Sequence, residues 1–218
     1  MSQLPGFLID SSNIVLVSPA INPPMVTPEF LLNNKIVQKS WKIKEQIVVP
    51  QLVNIAYSNG VLIKVEGARV QIDESADNDA FREIYQIPTV SKKLIQHLGS
   101  IEYSAIGMNF KIFYPVENAG KMIASKFISS GKWRKKIPSL SHAETRLSFQ
   151  LDSSMLNVFL SPKIIRHKQT LENKNVISID CNFHYQGPFK RMKCDEILGN
   201  WTKRQTELVK IVKNLFEL

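Results

Sequence analysis

Val53-Asn54-Ile55-Ala56-Tyr57-Ser58-Asn59-Gly60-Val61-Leu62-Ile63-Lys64-Val65 alternates apolar and polar side chains on both sides of a Ser-Asn-Gly break, the pattern of a β-hairpin. A two-residue Asn59-Gly60 turn would set Tyr57 against Leu62 and Ile55 against Lys64, mixing the two faces. A three-residue loop pairs Tyr57 with Val61, Ile55 with Ile63 and Val53 with Val65, and puts Gly60 in the left-handed position of a bulged hairpin. The spacing therefore predicts a half-buried antiparallel ladder. Ala68, Val70 and Ile72 extend it as a third strand, with Arg69, Gln71 and Asp73 on the opposite face, and an acidic loop follows from Asp73 to Asp79.

Working outward, Asn13 to Val17 is a β-type run that ends in a turn-rich segment, Ser18 to Pro28. Thr27 is an N-cap candidate with Pro28 at the first helical position, which predicts a short helix through Leu32. Val90, Leu94, Ile95 and Leu98 have helical spacing and Gly99 stops them. After Ser100 the order starts again. Ile106, Met108, Phe110, Ile112 and Tyr114 share one face of a long strand, and Ala119, Met122, Ile123 and Phe127 share a helix face. Leu147, Phe149 and Leu151 would meet Leu160, Val158 and Leu156 across a loop of residues 152–155. Ile177, Ile179, Cys181 and Phe183 form a further strand, and Trp201, Leu208, Val212, Leu215 and Phe216 mark a closing helix whose Lys203, Arg204, Lys210 and Lys213 keep its other side wet.

The expectation is an α+β fold, mainly antiparallel, made of two similar β-α-β-β-β-α halves, residues 1–100 and 101–218, in one compact unit. The halves would join sheets or pack face to face about a pseudo-twofold. A single continuous antiparallel sheet without duplication is the alternative.

The chain has 218 residues, 44% of them hydrophobic and 22% charged, so it can fill a core and is neither disordered nor fibrous. Its formal charge of +9 is its unusual property. Nine basic and nine acidic residues balance in the first hundred positions, so the whole excess falls in the second half. There it clusters, as Lys132, Arg134, Lys135 and Lys136 around Trp133, as Arg166 with Lys168, and as Lys190, Arg191 and Lys193 beside Phe189. Cations interleaved with aromatics suit phosphate contacts and base stacking. Lysine-rich loops that merely keep a surface soluble have the same composition.

The start of the chain lacks a basic n-region, and no run of apolar residues reaches membrane-spanning length. A cytoplasmic protein with no membrane contact is expected, with Cys181 and Cys194 as free thiols. Cys181, His184 and Cys194 include zinc-type donors, but residues three apart on a strand point to opposite faces, so no metal site and no cofactor is expected. Ser178, Asp180, Asn182 and His184 line up at period two. Such a face can orient an imidazole for acid-base work, and it is also what the wet side of a half-buried strand looks like. Asp73, Glu74, Asp77 and Asp79 read as a solvated turn, and His142 with Glu144 as a loop pair.

Asn13-Ile14-Val15 followed by Asn22-Pro23 and Pro28, then Ala105-Ile106-Gly107-Met108-Asn109-Phe110, then Val176 leading to Asn182-Phe183-His184-Tyr185, together resemble an uncharacterised family of bacterial proteins of sporadic distribution. The resemblance implies a cytoplasmic α+β protein whose scatter among genomes suggests mobile elements or phage defence. It brings no activity with it, and Lys132 to Lys136 lie outside its pattern. The functional expectation is a non-enzymatic binding module that contacts nucleic acid, or a complex that handles it, through the basic second half. Two other readings compete with it: a structural or regulatory subunit of a multi-protein complex, with antiviral defence as one setting and no nucleic-acid contact, and a hydrolase using Asp180, Asn182 and His184.

Overall fold

The computed structural model describes residues 6–78, 85–128, 131, 140, 142–166 and 173–217. The hairpin read from the sequence is present in its three-residue register: β3 (Leu52–Tyr57) faces β4 (Val61–Glu66) with Val53 opposite Val65 and Ile55 opposite Ile63. Gly60 has φ +88°, and its N–H donates to the Tyr57 carbonyl at 3.1 Å. A side chain there would be strained by the left-handed backbone and would meet Ser75 Oγ at 3.0 Å.

Nine strands make one antiparallel sheet among the described residues. To the hairpin are added β1 (Leu8–Val17), β2 (Ile43–Val49), β5 (Arg69–Asn78), β6 (Tyr103–Pro115), β7 (Thr145–Gln150), β8 (Met155–Arg166) and β9 (Asn173–Phe189). The spatial order is β2-β3-β4-β5-β1-β6-β9-β8-β7. Of the expected arrangements, face-to-face packing of the halves gives way to one continuous sheet, because β1 pairs β5 along one edge and β6 along the other, with Ile14 opposite both Ile72 and Met108. Two elements had no place in the sequence reading. β2 is exposed at every position, so no burial pattern marks it. Helix α4 (Arg191–Gly199) buries only Cys194, Ile197 and Leu198, too short a stripe to stand out from its charges.

Three further expectations are corrected. Leu147 opposes Val158 and Phe149 opposes Leu156, two residues away from the expected register. The turn closes earlier, where the Leu151 N–H donates to the Ser154 carbonyl at 2.9 Å. A shift of two keeps each side chain on its face, which is why the apolar pattern alone does not detect it. The acidic segment from Asp73 through Asn78 is strand, not loop. Glu74 is buried on the core side, and its Oε2 accepts the Gln86 and Ile87 N–H groups at 2.7 and 3.2 Å, the start of α2 (Ile87–His97). A carboxylate there satisfies orphan donors and complements the helix dipole. Arg204, expected on a wet face, is 5% exposed.

The short helix α1 (Pro28–Asn33) is capped as expected, with Thr27 Oγ1 accepting from Phe30 N–H at 3.1 Å. With α2, α3 (Ala119–Phe127), α4 and α5 (Trp201–Phe216) it contributes to a core of Ile14, Leu16, Val53, Ile55, Ile63, Ile72, Ile106, Met108, Phe110, Ile179 and Phe183. Trp201 packs on Phe110 with ring centroids 4.7 Å apart, and Phe216 on Tyr114 at 5.0 Å, so both ends of α5 sit on β6. Arg204 fastens the middle of the arrangement. It donates to Tyr185 Oη at 2.6 Å and Ser153 Oγ at 3.0 Å, pairs with Glu207, and lies over the Phe183 and Tyr185 rings.

Candidate binding face

The helices cover one face of the sheet, and the alternation that buries Ile179, Cys181, Phe183 and Tyr185 leaves Asp180, Asn182 and His184 half-buried on the other. The strand register turns that period-two line into rows that cross the sheet. Ser148 opposes Asn157, Asn157 opposes Asn182, Asn182 opposes Asn109, Asn109 opposes Asn13, and Asn13 opposes Asp73. One polar row thus crosses six strands.

The row is hydrogen-bonded in one direction. Asn182 Nδ2 donates to Asn109 Oδ1 at 2.6 Å, and Asn109 Nδ2 donates to Asn13 Oδ1 at 2.6 Å. Asn13 bonds Asp73, whose carboxylate also accepts Gln71 Nε2 at 2.8 Å. At the other end Ser148 Oγ donates to Asn157 Oδ1 at 2.8 Å. Aligned amide bonds polarise one another, and a carboxylate is the natural terminus of such a chain. Burial pushes the Asp73 carboxyl above the usual carboxylate range, against the lowering effect of its hydrogen bonds and of Arg69. Gly107 keeps the row low: a Cβ there would lie 3.1 Å from Asn182 Nδ2.

The neighbouring row is cationic and aromatic. Arg146, Phe159, Asp180, Lys111 and Ser11 oppose one another in sequence across β7, β8, β9, β6 and β1. The Arg146 guanidinium lies 5.9 Å from the Phe159 ring centroid, and Lys111 Nζ lies 5.9 Å from that of Phe113. Lys111 also reaches Asp180 at 3.9 Å. The two rows border an open depression of about 670 Å³.

Of the expected site residues, Lys132, Trp133, Arg134, Lys135, Lys136 and Lys168 lie outside the described residues. Arg166 ends β8 opposite Asn173, the first residue of β9. Lys190 precedes α4 at the far end of β9, about 50 Å along the strand from Arg166, so these two clusters do not form one patch. Arg191 stands 3.9 Å from Asp195, and Lys193 donates to Glu196 at 2.7 Å, which leaves this cluster partly neutralised. The polar trio on β9 shares a face but makes separate bonds. Asp180 accepts from Ser178 at 3.1 Å, Asn182 donates to Asn109, and His184 pairs with Gln186 at 3.1 Å. Four residues of strand keep Asp180 and His184 roughly 13 Å apart, too far for an acid–imidazole pair.

Cys181 lies on the core face and His184 on the other, and no cluster of metal-ligating side chains occurs among the described residues. Burial pushes the Cys181 thiol up and that of Cys194 up to about 11, so both are held as thiols. Asn13, Asn109, Asn157, Lys111, Arg146 and Phe159 escaped the sequence reading. Each alternates with core residues on its own strand, but only the register brings them together.

The chain matches no protein-family model and no curated protein. The resemblance drawn from residues 13–15, 22–23, 28, 105–110, 176 and 182–185 rests on those residues alone.

Proposed function

We propose that this protein is a non-enzymatic binding module that takes single-stranded nucleic acid on the open face of β6, β9, β8 and β7. The observation that carries the reading is the cation-and-aromatic row. Phe159 and Phe113 offer ring faces for bases, with Arg146 and Lys111 beside them for phosphates. The adjoining asparagine row supplies amide donors and acceptors for base edges. The basic residues 132–136 and 166–168 add charge from segments that join these same strands in the sequence. The two halves, each opening on one strand of the β1–β6 pair and returning to it by a meander, fit an architectural pseudo-repeat in which only the second half acquired the basic surface. A cytoplasmic setting suits that ligand.

Fluorescence anisotropy with a labelled single-stranded oligonucleotide tests the reading. Binding should weaken steeply with salt, and Phe159→Ala should raise Kd by about 5- to 150-fold, the range expected for loss of one stacked base. Reversing the charges of Lys132, Arg134, Lys135 and Lys136 should reduce the salt slope. Absence of binding at low salt, or binding indifferent to Phe159→Ala, overturns it.

A further inference from the structure

We propose that β2 is the interface through which two copies of this chain form a dimer, by antiparallel β2–β2 pairing that joins their sheets. Among the described residues β2 pairs only with β3, so its outer edge presents unpaired backbone donors and acceptors there. Apart from Lys44, Glu45 and Gln46 near its bulged start, its side chains are those of a strand covered on both faces. Ile43 and Val48 stand opposite Tyr57 and Val53 on the helix side, Ile47 and Val49 opposite Asn54 and Leu52 on the open side, and all four are 43–45% exposed. An edge strand that remains at the boundary of a sheet ordinarily carries charge or alternates. β7 does so at the other boundary, exposing Arg146, Ser148 and Gln150 while Leu147 and Phe149 turn inward.

The occupant follows from where the charge lies. Two copies that each carry +9 repel, but the excess belongs to residues 101–218, and the strands of that half begin with β6, five places from β2. Pairing through β2 brings the neutral halves together and keeps the basic strands of the two copies about 50 Å apart, several Debye lengths at physiological salt. Pairing through β7 would bring basic halves into contact. A twofold on Glu45 would stack two carboxylates. A twofold on Ile47 sets Ile47 against its own copy and Gln46 against Val48, with Lys44 and Glu45 at the rim. The proposal is independent of the ligand on the open face.

Sedimentation equilibrium of the full chain across the micromolar range should show twice the chain mass, and hydrogen exchange should show residues 43–49 protected as the dimer forms. Ile47→Lys, at an exposed position where folding is undisturbed by circular dichroism, should raise the dimer Kd at least about 100-fold, while Ser148→Lys on β7 leaves it unchanged. An equimolar mixture of Ile47→Lys and Ile47→Glu chains should recover the dimer. The proposal is overturned by a monomer at every concentration, by a dimer indifferent to Ile47→Lys, by a mixture that stays monomeric, or by β2 pairing solely with a strand of a different protein.

Discussion

The two faces of β9 come from the same residues in alternation and differ in almost everything else. On one side Ile177, Ile179, Cys181 and Phe183 disappear beneath the helices, and the polar tie from Tyr185 to Arg204 there is itself buried. On the other, Asp180, Asn182 and His184 keep contact with water and bond laterally to side chains of neighbouring strands or of their own. The covered face is packed apolar core, whereas the open face is an ordered polar surface held by hydrogen bonds between side chains.

Phe183→Ala is the strongest challenge to that contrast. It empties a fully buried site between Phe110 and the Arg204 guanidinium, and urea unfolding should show a loss of about 3–5 kcal/mol. Next comes Glu74, a charged residue on the covered face. Glu74→Leu strands the Gln86 and Ile87 N–H groups and should cost about 2–3 kcal/mol, with the loss of hydrogen-exchange protection centred on the first turn of α2. A cost below about 0.5 kcal/mol would mean that the carboxylate is not a structural plug.

On the open face, Asn109→Ala breaks the row at its centre and should cost only about 1 kcal/mol, while oligonucleotide affinity falls at least several-fold. Equal stability losses for Asn109→Ala and Phe183→Ala would erase the distinction between the faces. The smallest effect belongs to Asp73. Its carboxyl titrates above the usual range in the folded chain, so the folded state binds more protons than the unfolded one across that window. Stability from this group is greatest below the ordinary carboxylate pKa and falls as pH rises through the folded value. Comparing unfolding of wild type and Asp73→Asn between acidic and neutral pH should show the variant gaining relative stability as pH rises.

Period-two patterning located both faces of β9 and the hairpin at Gly60, because an apolar residue must turn inward wherever one side of a strand is covered. The same logic was silent for β2, whose side chains are exposed on both faces, and blind to the two-residue shift between β7 and β8. It also placed Arg204 in water, since composition does not reveal that Tyr185 and Ser153 wait for a guanidinium across the fold. The asparagine row shows the limit most clearly. Asn182 was visible as one member of a line, but Asn13 and Asn109 lie 96 positions apart, and only strand pairing makes them neighbours.

The central place of β1 has a consequence for the chain as it is being made. β5 emerges soon enough to close one side of β1, but the other side waits for β6, whose first residue follows the last of β5 by some 25 positions. At about 5–20 residues per second, roughly 1–5 s of synthesis separate the end of β5 from the start of β6, and the edge that β6 fills is the one that carries Ile14 and Leu16. Once β6 pairs, Ile14 and Leu16 stand opposite Met108 and Ile106 and that edge is closed.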